Sequence, residues 1–302
     1  KFLKYAPSFK TSFSDDEVKK MFGSVDGWYH YFKIGNVENT NTRTSLNYQM
    51  WISQIIPTDL NGMKILDIGA NDGFYSFLCE SRGAKRILAV DNNQRELSDV
   101  YLKKFTEFNV KRGYEEQVRG DDMAWAKGIS SEEPMFKNTG PTERFQILKK
   151  ILNSKVDYKL MNVYDVDSIE ETFDIALLFG VYYHLENPVL AFQKIFPKIN
   201  DSLFLSGHII ESEEPIMYLQ STTNEKRRQE ILKDAPGSFS PQLPRWIASS
   251  ECLLRIGEGI GFKKCVLLDT LDILDGSTSC ATNSDTNDLP HKSKIGLFKF
   301  SK

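Results

Sequence analysis

The stretch Met63-Lys64-Ile65-Leu66-Asp67-Ile68-Gly69-Ala70-Asn71-Asp72-Gly73-Phe74-Tyr75 decides the fold. It is an apolar run that ends in an acid and passes through a glycine-punctuated turn. Phe74-Tyr75-Ser76-Phe77-Leu78-Cys79-Glu80 follows and has helical character. A buried strand, a tight loop and a helix N-terminus open a βαβ unit. Gly69 and Gly73 allow the backbone to turn without a Cβ clash and allow a ligand to lie against it. The dinucleotide fingerprint G-x-G-x-x-G needs glycine at 69, 71 and 74, and the chain carries Asn71 and Phe74 at the last two. A pyrophosphate would meet side chains where it needs bare backbone. The spacing that fits is D-x-G-x-x-x-G, from Asp67 to Gly73.

Working outward, Arg86 to Val90 is a second strand that ends at Asp91. An acid there faces the position of a ribose, whose hydroxyls a carboxylate can accept from. Val156 to Met161 reads as strand three and runs into Asn162-Val163-Tyr164-Asp165. Thr172 to Phe179 is continuously apolar, as a central parallel strand should be. It leads into Gly180-Val181-Tyr182-Tyr183-His184, and Asn187-Pro188 caps the helix after it. Ser202 to Ile210 is strand five. Cys265 to Leu274 and Ile295 to Phe300 read as an antiparallel pair closing the sheet, with a helix from Ser249 to about Gly261 ahead of them. Strands alternating with helices imply a doubly wound α/β sheet whose ligand sits at the carboxyl ends of the strands. Asp67, Asp91, Asn162 and Phe179 all fall at such ends.

About sixty residues precede this unit. Ser14-Asp15-Asp16-Glu17 is a capping box, Trp28 to Ile34 is aromatic and strand-like, and Ser45 to Ile56 reads as a helix stopped by Pro57. Trp28-Tyr29-His30 is either a hydrophobic clasp over the core or a lid over the reaction site. Residues 111–141 form a polar, glycine-rich insertion with one tryptophan, Trp125, and residues 211–248 form a second insertion. Both are expected on the substrate side. The division is therefore 1–60, extension and lid, and 61–302, the catalytic domain.

Composition limits the function classes. The 302 residues are 40% hydrophobic and 26% charged, with a net charge of −3, and the sequence pI is about 5.9. That balance argues against nucleic acid as the main partner. No run reaches the ~18 apolar residues of a membrane span, and no signal peptide is visible. The four cysteines form no C-x-x-C and read as reduced thiols of a cytoplasmic protein. The four histidines are scattered, so no metal site is expected. Asp285-Thr286-Asn287-Asp288 has Pro290 where a calcium loop turns on glycine, and reads as a polar loop. A homo-oligomer is left open.

Asp67 to Gly73 resembles motif I of the Rossmann-like class I methyltransferases, which use S-adenosyl-L-methionine. Trp28-Tyr29-His30, Leu66 to Phe74, Asn162-Val163-Tyr164-Asp165 and Gly180-Val181-Tyr182-Tyr183-His184-Leu185 occur in an order similar to that of the group related to the tRNA wobble-uridine carboxymethyltransferase. The resemblance covers about residues 28–270 and implies a seven-stranded sheet, mostly parallel with an antiparallel last strand. It also implies a cofactor pocket lined by Asp67, Gly69, Ala70, Asn71, Gly73, Phe74, Asp91, Asn92, Asn93, Asn162, Val163 and Phe179. Tyr183 would face the transferred group. Trp28, Tyr29 and Trp125 are expected on the acceptor, and His30, Tyr183 and His184 at the chemistry. His184 is either a base or an orienting group ahead of the Asn187 cap.

Departures from the group sharpen the expectation. Its tRNA enzyme carries a lysine where this chain has Val25-Asp26-Gly27, and a tryptophan and a lysine where it has Thr42 and Asn47. Those groups hold the extra carboxylate of a carboxylated cofactor, which would be poorly paired here. Leu205-Ser206-Gly207 replaces the L-E-T that ends strand five in many relatives. Methyl transfer from plain S-adenosylmethionine to an oxygen of a small-molecule acceptor is expected, with tRNA modification and a non-catalytic binding module as alternatives.

Overall fold

Asp72, in the turn just quoted, explains why the aromatic N-terminal segment is not the strand its composition suggests. In the computed structural model, which describes residues 3–7, 9–25, 27–39, 42, 44–92, 141–220, 245–272 and 293–302, side chains take the backbone N–H groups of residues 29–32. Tyr29 and His30 donate to Asp72 Oδ2, Tyr31 to Gln49 Oε1 and Phe32 to Asn39 Oδ1. Donors spent this way cannot form a ladder. Only Lys33–Ile34 (β1) pairs, with Val37–Glu38 (β2), across the Gly35-Asn36 turn.

Helix α1 (Asp15–Phe22) precedes this hairpin, and its Ser14–Glu17 capping box forms as the sequence predicts. Helix α2 (Leu46–Ser53) follows, capped by Ser45. It stops three residues short of the predicted Ile56.

The core then runs β3 (Lys64–Ile68), α3 (Phe74–Ser81), β4 (Arg86–Asp91), α4 (Pro141–Ile151), β5 (Asp157–Leu160), β6 (Phe173–Phe179), α5 (Pro188–Ile195) and β7 (Ile199–Ile210). After β7 come β8 (Met217–Gln220), β9 (Arg245–Ser249), α6 (Ser250–Ile260), β10 (Lys264–Asp272) and β11 (Ser293–Ser301). The main path of the sheet is β10-β11-β7-β6-β3-β4-β5. β5, β4, β3, β6 and β7 are mutually parallel, and β11 is antiparallel to both its neighbours. These are the seven strands expected. β8 and β9 add to them: β9 extends the sheet beside the end of β7, and β8 pairs with it. Both lie at the ends of the stretch read as the second insertion.

Strand order reverses between β3 and β6, which opens a crevice at their carboxyl ends. Alternation divides the side chains between two faces. Leu66, Ile68, Leu88, Val90, Leu178, Leu203 and Leu205 pack under α5 and α6. Ile65, Ile87, Ala89, Ile175, Leu177, Phe204, Ile295 and Leu297 face the other way. The N-terminal extension covers that second face: Trp28, Phe32, Ile34, Met50 and Trp51 share one cluster with Phe74, Phe77 and Leu78 of α3. β5 at the sheet edge is short, and its Leu160 is 57% exposed.

Candidate functional site

The turn after β3 is built from its own backbone. Gly69 N donates to Val90 O at 2.8 Å, and Gly73 N to Ala70 O at 2.8 Å. Gly69 has φ +76°, and a Cβ there would lie 2.4 Å from Val181 Cγ2. The glycine thus lets the turns after β3 and β6 touch at the crevice. Gly73 has φ +89°, and a Cβ there would meet the Phe145 ring at 2.6 Å. This glycine serves the packing of α4 on α3. Asn71 adopts the left-handed conformation, φ +51°, and its N–H donates to Asp91 Oδ2 at 2.8 Å. Asp91 therefore fixes the turn as well as ending β4.

Three carboxylates converge here with different environments. Asp67 is buried and accepts from Ser76 Oγ at 2.6 Å. Burial pushes its carboxyl up to about 6, against the opposing pull of Ser76 and of His30. Asp72 is wholly enclosed and holds the N-terminal segment: its Oδ2 accepts from Tyr29 N at 2.9 Å and His30 N at 2.8 Å, and its Oδ1 lies 2.5 Å from His30 Nδ1. Burial alone would raise this carboxyl, but the His30 charge and hydrogen bonds outweigh it and hold it low. Tyr75 packs against Phe179, ring centroids 4.9 Å apart, and against His30 at 5.1 Å. Burial first, then Asp67 and Asp72, push its phenol well above the usual range.

The other predicted residues fall as follows. Ala70, Phe74 and Val163 are buried near the crevice, Phe179 is half-buried at the end of β6, and Asn92 is exposed just past Asp91. Asn162 spends its side-chain oxygen on Tyr164 N, as the cap of a 3-10 turn. Trp28 is 3% exposed and donates its indole N–H to Phe22 O, so it anchors the segment in the core. Tyr29 is half-buried beside His30. Trp28 and His30 are both buried, the first held to Phe22 O and the second to Asp72. Asn93 and Trp125 lie outside the described residues, as does the 285–288 loop.

Beyond β6, Tyr183 is buried between two histidines, with centroids 4.3 Å from His184 and 4.6 Å from His208. His184 is exposed and His208 half-buried. Tyr182 is structural: its hydroxyl donates to His208 O and accepts from Ala248 N at 3.3 Å. Gly207 leaves room for the Tyr182 ring, which a Cβ would meet at 2.4 Å.

Sequence reasoning missed Asp72, Tyr75 and His208 as members of this site. The period of two along β7 puts His208 on the face of Phe204 and Ser206 and was the available signal. For Asp72 and Tyr75 no spacing rule singles them out.

The polar groups suit a ligand with a positive end and no phosphate. Asp67, Asp72 and Asp91 surround the turn. Asn71 Oδ1 and the Tyr75 hydroxyl are buried without hydrogen-bond partners among the described residues. Oxygen acceptors in this setting fit the ammonium and ribose of S-adenosylmethionine and would repel a pyrophosphate. Asp67, Asn71 and Asp91 could hold such a cofactor over Gly69 and Ala70, with Phe179 beside it. Among the described residues, no group of three His, Cys, Asp or Glu side chains is placed for a metal ion. No described helix is long and apolar enough to cross a membrane.

No family model matches the sequence. Among curated proteins, the tRNA U34 carboxymethyltransferase of Campylobacter hominis is 25% identical over 160 residues, covering 52% of this chain and 40% of that protein. The protein of the same name from Campylobacter lari is 24% identical over 144 residues, 42% of this chain and 49% of its own length. The match spans less than half the length of either relative. Among solved structures, the N-terminal domain of EvdMO1 in the presence of S-adenosylhomocysteine (SAH) and D-fucose superposes with a TM-score of 0.57 at 11% identity, covering 96% of this chain and 98% of that one. The chain has the fold of the class I S-adenosylmethionine-dependent methyltransferases, and its sequence likeness is to the tRNA wobble-uridine group among them.

Proposed function

We propose that the protein transfers a methyl group from S-adenosylmethionine to an oxygen of a small-molecule acceptor. The observation that carries this reading is the ring of oxygen acceptors about the Gly69–Gly73 turn. Asp67, Asn71 and Asp91 are arranged for a cationic nucleoside and against a phosphate. When bound, the cofactor supplies a methyl group on a sulfonium, open to in-line displacement. The chain's part is to hold the acceptor in line, to keep water out beneath the N-terminal segment and to take the acceptor's proton. His184 is the proposed base, exposed at the mouth where β6 ends, with Tyr183 as the wall beneath it. His30, fixed by Asp72, serves as a positioning residue.

A small acceptor is supported by the near full-length likeness to the EvdMO1 domain, solved in the presence of D-fucose, and by the net charge of −3. Plain S-adenosylmethionine is the proposed donor, given Thr42 and Asn47 where a carboxylated cofactor would need a cation. A cytoplasmic location suits the free thiols Cys79, Cys252 and Cys265.

Calorimetry with SAH and with NAD tests the cofactor: SAH binds and NAD does not. Transfer of a labelled methyl to a panel of hydroxylated small molecules tests the acceptor. A protein that fails to bind SAH overturns the proposal. The names of the curated relatives favour a second reading, tRNA U34 modification. That reading requires transfer to tRNA and an affinity that falls steeply with salt. Tighter binding of a carboxylated cofactor than of S-adenosylmethionine would favour it.

A further inference from the structure

The buried phenol of Tyr75 is absent from both the motif and the mechanism above. Its hydroxyl has no hydrogen-bond partner among the described residues, although its ring is well fixed. Phe179, Phe74 and His30 all contact that ring, with centroids 4.9, 5.2 and 5.1 Å away in turn. An enclosed hydroxyl without a partner is destabilising, because its desolvation is not offset. Phenylalanine would avoid that cost, and the same helix already places Phe74 and Phe77 in this cluster. The hydroxyl lies within electrostatic reach of Asp67 and Asp72, so its surroundings are negative. A hydrogen-bond donor with positive charge would suit that oxygen as a partner.

We propose that Tyr75 is a ligand contact of the cofactor site, its oxygen accepting a hydrogen bond from the ammonium at the amino-acid end. This rests on the cofactor reading above. Three features single out that group. Asp67, the buried acid of the turn, is on the same side and has only Ser76 as its hydrogen-bond donor among the interactions described. Asp72 is already committed to Tyr29 and His30. Phe179, which stacks edge-on with Tyr75, ends β6 at the crevice, so the Tyr75 ring lies next to the crevice end of β6. Burial keeps the phenol neutral, as an acceptor must be to share its site with two carboxylates.

The test pairs two ligands that differ at the amino-acid end, SAH and 5′-methylthioadenosine, which lacks it. Tyr75→Phe should weaken SAH roughly tenfold, the worth of about one hydrogen bond to a charged group, and leave 5′-methylthioadenosine unchanged. The free variant should melt no lower than the wild type, because it loses an unpaired hydroxyl. Unchanged SAH affinity, or equal weakening of both ligands, overturns the proposal. Should the variant fail to fold, wild-type protein labelled at tyrosine Cζ decides: the Tyr75 resonance should shift with SAH and stay put with 5′-methylthioadenosine, and a resonance indifferent to both ligands overturns it. Wild-type protein that binds neither ligand removes the cofactor reading itself, an outcome distinct from a wild type that binds SAH and a variant that binds it equally.

Discussion

His30 Nδ1 lies 2.5 Å from Asp72 Oδ1, and both residues are buried. The pair joins the start of the chain to the turn that makes the crevice. Arg82, at the far end of α3, makes a second joint: its guanidinium donates to the carbonyls of Ser53, Ile56, Pro57 and Tyr5. The helix behind the turn is thus gripped at both ends by the N-terminal extension. Asp72→Asn and His30→Ala should each destabilise by about 3–5 kcal/mol, the cost of breaking a buried pair. Urea midpoints would measure it, and a loss under 1 kcal/mol would mean that the joint is idle. Because the Asp72 carboxyl is held below its unfolded value, its stabilisation is present above pH ~4 and is lost as pH falls further. The Asn variant should show a flatter acid limb.

Asp67 has the opposite sign. Its carboxyl rises from 3.8 to about 6 on folding, so the folded state binds the proton more tightly. Stability from this group falls as pH rises between those values, by about 3 kcal/mol in all. Asp67→Asn should remove that slope, which comparison of urea midpoints at pH 4.5 and 7 would reveal. A cation beside Asp67 would pull its carboxyl down again. SAH binding near pH 6 should therefore release protons and weaken on acidification, and calorimetry in buffers of differing ionisation enthalpy would detect the release. Binding without proton release would place the ammonium elsewhere.

Asp91 holds the turn through Asn71 N–H and is the proposed partner of the ribose. Asp91→Ala leaves Asn71 N–H without its acceptor and removes the proposed partner of the ribose hydroxyls. SAH affinity should fall by about 1–3 kcal/mol. Unchanged SAH affinity would assign Asp91 to the turn alone.

The sheet was legible in the sequence because burial on both sides writes continuous apolar runs, as in Phe173–Phe179, and because Asn187-Pro188 and Ser249 are explicit helix caps. The extension was less so. Its aromatic residues suit a strand, but side chains from Asp72, Gln49 and Asn39 claim its N–H groups, and no local pattern announces contacts from 7 to 43 residues away. The same limit hid the site's depth. Asp67 and Asp91 stand out as strand-end acids, whereas Tyr75 and Asp72 matter through what reaches them from elsewhere in the chain. Trp28 reads in the sequence as an aromatic on the acceptor side, and its indole N–H donates to Phe22 O within the core.

The acceptor side turns on which histidine takes the proton. Tyr183 separates His184 from His208, with ring centroids 4.3 and 4.6 Å away. His184 follows β6 and is exposed at the mouth. His208 is on β7, half-buried, with its backbone carbonyl held by the Tyr182 hydroxyl. A base must meet an acceptor that arrives from solvent, and this favours His184. A residue that lines the pocket needs a fixed backbone, and this suits His208. With the acceptor found by the screen, His184→Ala should cut turnover by about 10²–10⁴ and leave SAH affinity intact. The wild-type rate should fall on acidification through the histidine range, near pH 6.5, and the variant should lose that inflection. His208→Ala should raise the acceptor KM and keep the inflection, since the proton still passes to His184. If instead His208→Ala abolishes the inflection and His184→Ala keeps it, the roles are exchanged and the acceptor lies deeper, on the β7 side of Tyr183.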